Sequence, residues 1–158
     1  MDEVSVMGFL DKLKGAVNAV TGGAAKVQIE YPQNLVFGGD MVPVKITATS
    51  TGAEVKSKGI FVDLEGVEDV SIRKGDSNVD QNVSASKRTF EQQFQIAPAF
   101  VLAAGATQLF EGQIQLPATA LPSFRGNFVE HKWQIRGRVE ATGNDPDSGW
   151  KPIRLGAR

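Results

Sequence analysis

The chain has 158 residues, which is about the size of one soluble domain. It contains no cysteine and a single histidine, which excludes disulfide scaffolds, thiolate zinc sites, cysteine nucleophiles and multi-histidine metal clusters. A net charge of −1 and a pI near 5.8 argue against a nucleic-acid binder, and we expect no cofactor and no metal.

The N-terminus lacks the pattern of a secretory signal. Asp2 and Glu3 stand where a signal peptide carries positive charge. No apolar run approaches the roughly 18 residues that a membrane-spanning helix needs. We therefore expect a cytoplasmic protein, which the absence of cysteine also fits. Met7 would also serve as a start.

Residues 8–20 are predicted to form a short amphipathic helix. Phe9, Leu13 and Val17 recur at helical spacing, and charged residues take the other side. A pair of glycines follows and ends the helix. Three placements stay open for this helix: across an open end of the domain, against another chain, or on a membrane surface.

From Val27 onward the hydrophobic period changes to 2, which is typical of strands with one buried face. In the first half of the chain, alternation predicts strands at 27–31, 42–48 and 60–64, and a weaker one at 70–73. Pro43 cannot donate a ladder hydrogen bond and therefore predicts a sheet edge or a bulge. The polar stretch 74–86 is expected to be a mobile loop.

The second half of the chain continues the alternation, and its clearest strand is 129–141. The other strands are predicted at 90–96, 110–116 and 150–155, and the connections between them at 97–106, 117–126 and 143–149. Seven or eight strands with one apolar face each predict an all-β fold, an immunoglobulin-like antiparallel β-sandwich. We expect residues 1–23 to form a tail and helix, and residues 24–158 to form the sandwich.

The order of segments from Lys26 to Leu155 resembles the N-terminal sandwich domain of arrestin-like proteins. The resemblance lies in VQIEYPQNLVFGGDMVPVKITAT, in GIFVDLEG and in the run AAGATQLFEGQIQLPATALPSFRGNFVEHKWQIRGRVEA, in which LPSFRG is the most specific piece. The closing WKPIRL also fits. The chain is similar to the bacterial sporulation-control branch as well, because GFLDKLKGAVNAV would supply the short helix with which that branch opens.

The resemblance implies an arrestin-like sandwich that acts as a non-catalytic cytoplasmic scaffold or regulatory adaptor for a protein partner. The interaction candidates form two groups. Phe9, Leu13 and Val17 lie on the predicted helix. Arg125, Lys132, Arg136 and Arg138 form a basic stripe, and the last three of them lie on the long strand. Arrestins have two sandwiches and this chain has room for one, so a homodimer is one way to supply the other half. The alternatives are a peripheral membrane adaptor anchored by residues 8–20 and a small-ligand-binding or hydrolytic domain.

Several polar residues have both a chemical and a structural interpretation. His131 is the one candidate general base, but its place on the apolar face of a strand favours a role in the core. Asn144, Asp145 and Asp147 carry calcium-type oxygens, yet they are also typical turn residues.

The charged strand residues are interpreted as solvated. The basic stripe is expected to be a solvated sheet face, which partners such as Glu111 could neutralise. A second, acidic group is interpreted as a solvated strand end, and it consists of Asp63, Glu65, Glu68 and Asp69.

Overall fold

The computed structural model describes residues 24–76 and 78–157. All regular structure in this part of the chain is β. The strands are β1 (Ala25–Glu30), β2 (Val36–Phe37), β3 (Met41–Ser50), β4 (Val55–Ile72), β5 (Val83–Ala97), β6 (Phe100–Leu102), β7 (Thr107–Gln115), β8 (Phe124–Arg125), β9 (Val129–Ala141), β10 (Lys151–Ile153) and β11 (Leu155–Gly156). The helix predicted over residues 8–20, with Phe9, Leu13 and Val17, lies outside the described residues.

The strands form two packed antiparallel sheets. The small sheet has the order β1-β3-β7. The large sheet has the order β10-β9-β4-β5, with β6 added to β4 and β8 added to β9. Separately, β2 and β11 pair in parallel. The predicted antiparallel sandwich is therefore confirmed for the described residues.

The core lies between the two sheets and consists of the alternating apolar positions. Ile46 of β3, Leu64 of β4 and Ile135 of β9 are all fully buried. Their neighbours in each strand point away from the core, as the two-residue period of a strand requires. This alternation places the charged residues of β4 and β9 together on the outer face of the large sheet.

The β4–β5 hairpin is longer than the sequence predicts. Residues 70–72 are the end of β4 rather than a separate strand, and β5 begins at Val83 inside the expected loop. The two ends pair, with Ile72 opposite Val83 and Val70 opposite Ala85. The prediction of a loop up to residue 86 was wrong because this part of β5 is exposed on both faces and shows no buried period.

Pro43 lies on β3, which is the central strand of the small sheet. The pairing of β1 with β3 ends at Lys45, so at Pro43 the strand has only β7 beside it. The sheet thus has a local edge there, where a residue without an N–H is tolerated. Three strands of two or three residues escaped prediction because so few residues cannot show a period: β2, β6 and β8. The strand predicted at 150–155 is divided into β10 and β11.

Candidate interaction surfaces

The outer face of the large sheet carries a buried charge network centred on Asp63. The register places Asp63 opposite Arg136, and Arg138 follows two residues later on the same face of β9. The Asp63 carboxylate accepts hydrogen bonds from Arg136 Nη2 at 2.8 Å and from Arg138 Nε at 3.0 Å. Asp63 and Arg138 are largely shielded from solvent, with side chains 7% and 8% exposed. The attraction between their opposite charges therefore compensates the desolvation free energy that burial of each charge costs.

The turn predicted at 143–149 completes the network from outside the sheet. Arg138 Nη1 donates to Asp145 at 3.2 Å. Asp147 accepts from the Gly149 amide at 2.7 Å and lies 3.9 Å from Arg136. Burial raises the pKa of Asp147, and the Gly149 hydrogen bond and Arg136 oppose this rise.

The carboxylates of the turn thus face arginines. The described residues contain no group of three or more histidine, cysteine, aspartate or glutamate side chains that could hold a metal ion. Asp145 also accepts a hydrogen bond from the Ala141 amide at 3.1 Å, as expected for a residue that shapes a turn.

A second set of ion pairs joins β4, β5 and β9 on the same outer face. Arg88 Nε lies 3.1 Å from a carboxylate oxygen of Glu65, and Gln134 donates a hydrogen bond to the other oxygen. Lys132 Nζ lies 2.9 Å from Asp69, which also accepts from the Ser86 hydroxyl at 2.6 Å.

The pKa values of this set follow from the contacts. The Ser86 hydroxyl and the Lys132 ammonium lower the pKa of Asp69, and Asp69 in turn raises the pKa of Lys132. Glu65 is buried, as is Asp63 of the first network. The interpretation of the acidic group as a solvated strand end was therefore wrong for these two residues, which lie in the middle of β4.

The interaction candidates of the basic stripe do not share one environment. Lys132, Arg136 and Arg138 each form an ion pair with an aspartate, whereas Arg125 lies on the exposed strand β8. Glu111 belongs to the small sheet and pairs with Lys45 at 3.7 Å, so it does not neutralise the stripe.

Aromatic rings cover part of the same face. The Arg136 guanidinium lies 4.5 Å from the centre of the Trp150 ring, and that of Arg138 lies 4.8 Å from the Phe61 ring. An arginine that stacks on an aromatic ring and pairs with a carboxylate has a fixed side-chain conformation. This face therefore presents ordered, neutralised charge rather than a free cationic surface.

His131 connects the crossover 117–126 to the large sheet through a hydrogen bond. Its Nδ1 lies 2.9 Å from the Pro122 carbonyl, which can only accept, so Nδ1 carries the proton. In the neutral ring, Nε2 then accepts from the Thr89 hydroxyl at 2.7 Å. Trp133 Nε1 donates to the Leu121 carbonyl at 2.7 Å beside it. His131 is 1% exposed, and the predicted role in the core is confirmed.

In the described part of the chain, β5 is a long edge strand of the large sheet. This strand has 15 residues and, within residues 24–76 and 78–157, pairs with β4 on one side only. Two register shifts interrupt the pairing and leave Thr89 and Ile96 without an opposite residue. Between these bulges, Phe90–Gln95 forms a regular ladder. Sequence reasoning found the strand but could not place it at an edge, because strand order is not visible in a periodic pattern.

Two of the clefts on the described surface have apolar residues beside the sandwich core. A small cleft of about 130 Å³ lies between Phe90, Trp133 and the crossover residues Ala120 and Leu121. A wider one of about 600 Å³ lies at the end of the sandwich where the described chain begins. Within the described ranges, no helix is long and apolar enough to cross a membrane.

No protein-family model and no curated protein matches the chain. Among solved structures, it is similar to the crystal structure of Spo0M, the sporulation control protein from Bacillus subtilis. The TM-score is 0.62 at 18% sequence identity, over 86% of this chain and 51% of that one. The chain thus spans about half the length of that protein. Its fold is the arrestin-like β-sandwich that the sequence predicts.

Proposed function

We propose that the protein is a non-catalytic interaction module, a scaffold or regulatory adaptor, that receives an extended segment of a partner protein at β5. The observation that carries this proposal is the strand of 15 residues, which has a neighbouring strand on one side only among the described residues. The unpaired amides and carbonyls of such an edge can hydrogen-bond to an added strand. The similarity in fold to a sporulation control protein supports a regulatory role.

The bulges of β5 define which part of the edge can accept a strand. A bulge interrupts the ladder and turns the local backbone, so pairing across Thr89 or Ile96 is disfavoured. The regular stretch Phe90–Gln95 remains available between them. Next to it lies the small apolar cleft at Phe90 and Leu121, which can take one apolar side chain of the added strand.

Affinity capture from the native lysate tests this function when the edge itself is varied. Gln92→Lys places a charge on the exposed edge strand, and Gln113→Lys makes the same change on β7, an edge of the small sheet. Gln92 lies opposite Leu64, so the new charge does not enter the face with Arg136 and Arg138. Charged side chains are a natural defence against strand addition. We expect one specific protein to be captured by the unmodified chain and by Gln113→Lys, and to be depleted for Gln92→Lys.

The other outcomes contradict the proposal in different ways. Equal capture by both variants would move the contact to another surface, such as the face with Arg136 and Arg138. Capture of no specific protein by the unmodified chain would argue against an adaptor altogether. Circular dichroism and thermal unfolding of both variants serve as the control that the sandwich remains folded.

A further inference from the structure

The wider cleft lies at one end of the sandwich and is open to solvent. Ala24, Val55 and Ala141 line it, with polar residues around them. Val55 is 6% exposed and pairs with the buried Leu102, so the apolar core reaches the floor of the cleft. A cleft of about 600 Å³ has room for several side chains of a docked segment.

We propose that residues 8–20 of this same chain dock in this cleft and turn Phe9, Leu13 and Val17 toward Val55 and Ala141. This inference goes beyond the proposed function and does not depend on it. The occupant follows from the position of the chain. Ala24, which lines the cleft, is held in place there because its carbonyl accepts a hydrogen bond from the Thr51 amide at 3.3 Å.

The link between the segment and the cleft is short. Only residues 21–23 separate the predicted helix from Ala24, and three extended residues span at most about 10 Å. The end of the segment at Val20 therefore lies near the cleft wherever the rest goes. A tether of this length gives an effective concentration on the order of millimolar, so modest apolar contact suffices for docking. The glycine pair at 22 and 23 permits the chain reversal that docking requires.

The segment itself needs a surface to cover its apolar face. A helix of this length is about 20 Å long, and isolated helices shorter than roughly 12–15 residues are marginal in water. Its stability must come from packing of the face with Phe9, Leu13 and Val17. The tether leads to the cleft with Val55 and Ala141 in its lining, because Ala24 lines the same cleft.

The rim of the cleft carries charges that suit the segment. Glu54 and Lys56 are exposed and belong to no ion pair among the described residues. The segment brings both signs, with Asp11, Lys12 and Lys14 beside its apolar face. Opposite charges at the rim can fix the orientation of the docked helix.

The absence of cysteine makes disulfide trapping a direct test in the full-length chain. The test pair is Val17→Cys with Ala141→Cys, and the control pair is Asn18→Cys with Ala141→Cys. Both pairs have the same tether, but residue 18 is predicted on the polar side. Oxidation with copper phenanthroline is followed by non-reducing electrophoresis and mass spectrometry. We expect an intramolecular disulfide that forms at least about tenfold faster in the test pair, because only docking separates the two pairs.

A second pair of cysteines keeps the test informative if a variant of the first pair does not fold. Leu13→Cys with Lys56→Cys places the partner cysteine on the exposed rim of the cleft. Equal trapping rates for positions 17 and 18 would show a tethered but undocked segment and would overturn the proposal. Disulfide-linked dimers at low protein concentration would instead assign the face to a second copy. An absent disulfide together with co-sedimentation on anionic phospholipid vesicles would assign it to a membrane.

Discussion

Asp63 shows how a single carboxylate organises one face of the sandwich. It compensates two arginines on the neighbouring strand and is buried beneath them. A buried ion pair contributes little over an apolar pair of the same shape, but removal of one partner leaves a buried charge without compensation. The stability of this face therefore depends on Asp63 more than on the exposed acids around it.

We expect Asp63→Ala to lower the free energy of unfolding by about 3 kcal/mol, because Arg136 and Arg138 lose their shared partner. The matched variant Asp145→Ala removes a half-exposed partner of Arg138 and should cost about 1 kcal/mol or less. Urea unfolding measures both changes. Equal losses would show that the network does not centre on Asp63.

Gly66 is a second residue on which local packing depends. A Cβ at this position would lie 2.8 Å from Thr89 Oγ1 and 3.3 Å from both His131 Nε2 and Trp133 Cη2. Gly66→Ala should therefore destabilise the protein by about 1–3 kcal/mol and disturb the Thr89–His131 hydrogen bond.

Gly52→Ala is the matched control, because nothing lies within 4 Å of its added Cβ. Its effect on the unfolding free energy should stay within about 1 kcal/mol. Thermal unfolding compares the two variants, and the His131 side-chain resonances report on the hydrogen bond. A neutral Gly66→Ala would mean that β5 shifts easily at its bulge.

At the level of elements, Asp69 connects the β4–β5 hairpin to β9 through Ser86 and Lys132. These contacts lower the pKa of Asp69, so its stabilising effect is present above the usual value of 3.8 and is lost as the pH falls through the lowered value. We expect Asp69→Asn to be less stable than the natural chain near neutral pH, by about 1 kcal/mol or less for so exposed a pair.

The difference between Asp69→Asn and the natural chain should shrink as the pH falls below 3.8, because the natural chain then loses its ionised carboxylate and the variant has none to lose. Thermal unfolding across this range checks the sign. A difference that is independent of pH would assign the effect of the substitution to packing. A variant that is more stable at neutral pH would contradict the role of the ion pair.

The strands that face the core could be predicted from the sequence, and those that do not face it could not. β9 and the centre of β4 alternate because one face packs in the apolar core and the other carries charged residues, so their apolar period is visible. The first residues of β5 are exposed on both faces and have no such period. The ion pairs of Asp63 depend on the register of β4 against β9, which the spacing of residues along one strand does not contain.

At the scale of the molecule, the described sandwich closes its own core. Both sheets contribute to one buried apolar cluster, with Ile46 and Ile114 from the small sheet and Leu64 and Ile135 from the large one. We propose that residues 24–158 fold without the N-terminal 23. Deletion of residues 1–23 should preserve a single cooperative thermal transition and the β-type circular dichroism spectrum.

If residues 8–20 dock as proposed, the midpoint of that transition should fall by several degrees, because the deletion uncovers the cleft at Val55 and Ala141. Thermal circular dichroism measures both the midpoint and the cooperativity. An unchanged midpoint would argue that the segment adds nothing to the fold. Loss of the transition would instead make the segment part of the core.

The pairing of β2 with β11 has a consequence for the synthesis of the protein. Leu155 lies opposite Val36. Its amide donates a hydrogen bond to the hydroxyl of Ser123 in the crossover, and its carbonyl accepts one from the Ser123 amide. Val36 and Leu155 are separated by most of the domain, so the sandwich cannot be completed before residues 155 and 156 have been synthesised. Strands without their final partners expose apolar surface. Folding of this domain is therefore expected to finish only after its last strand has left the ribosome.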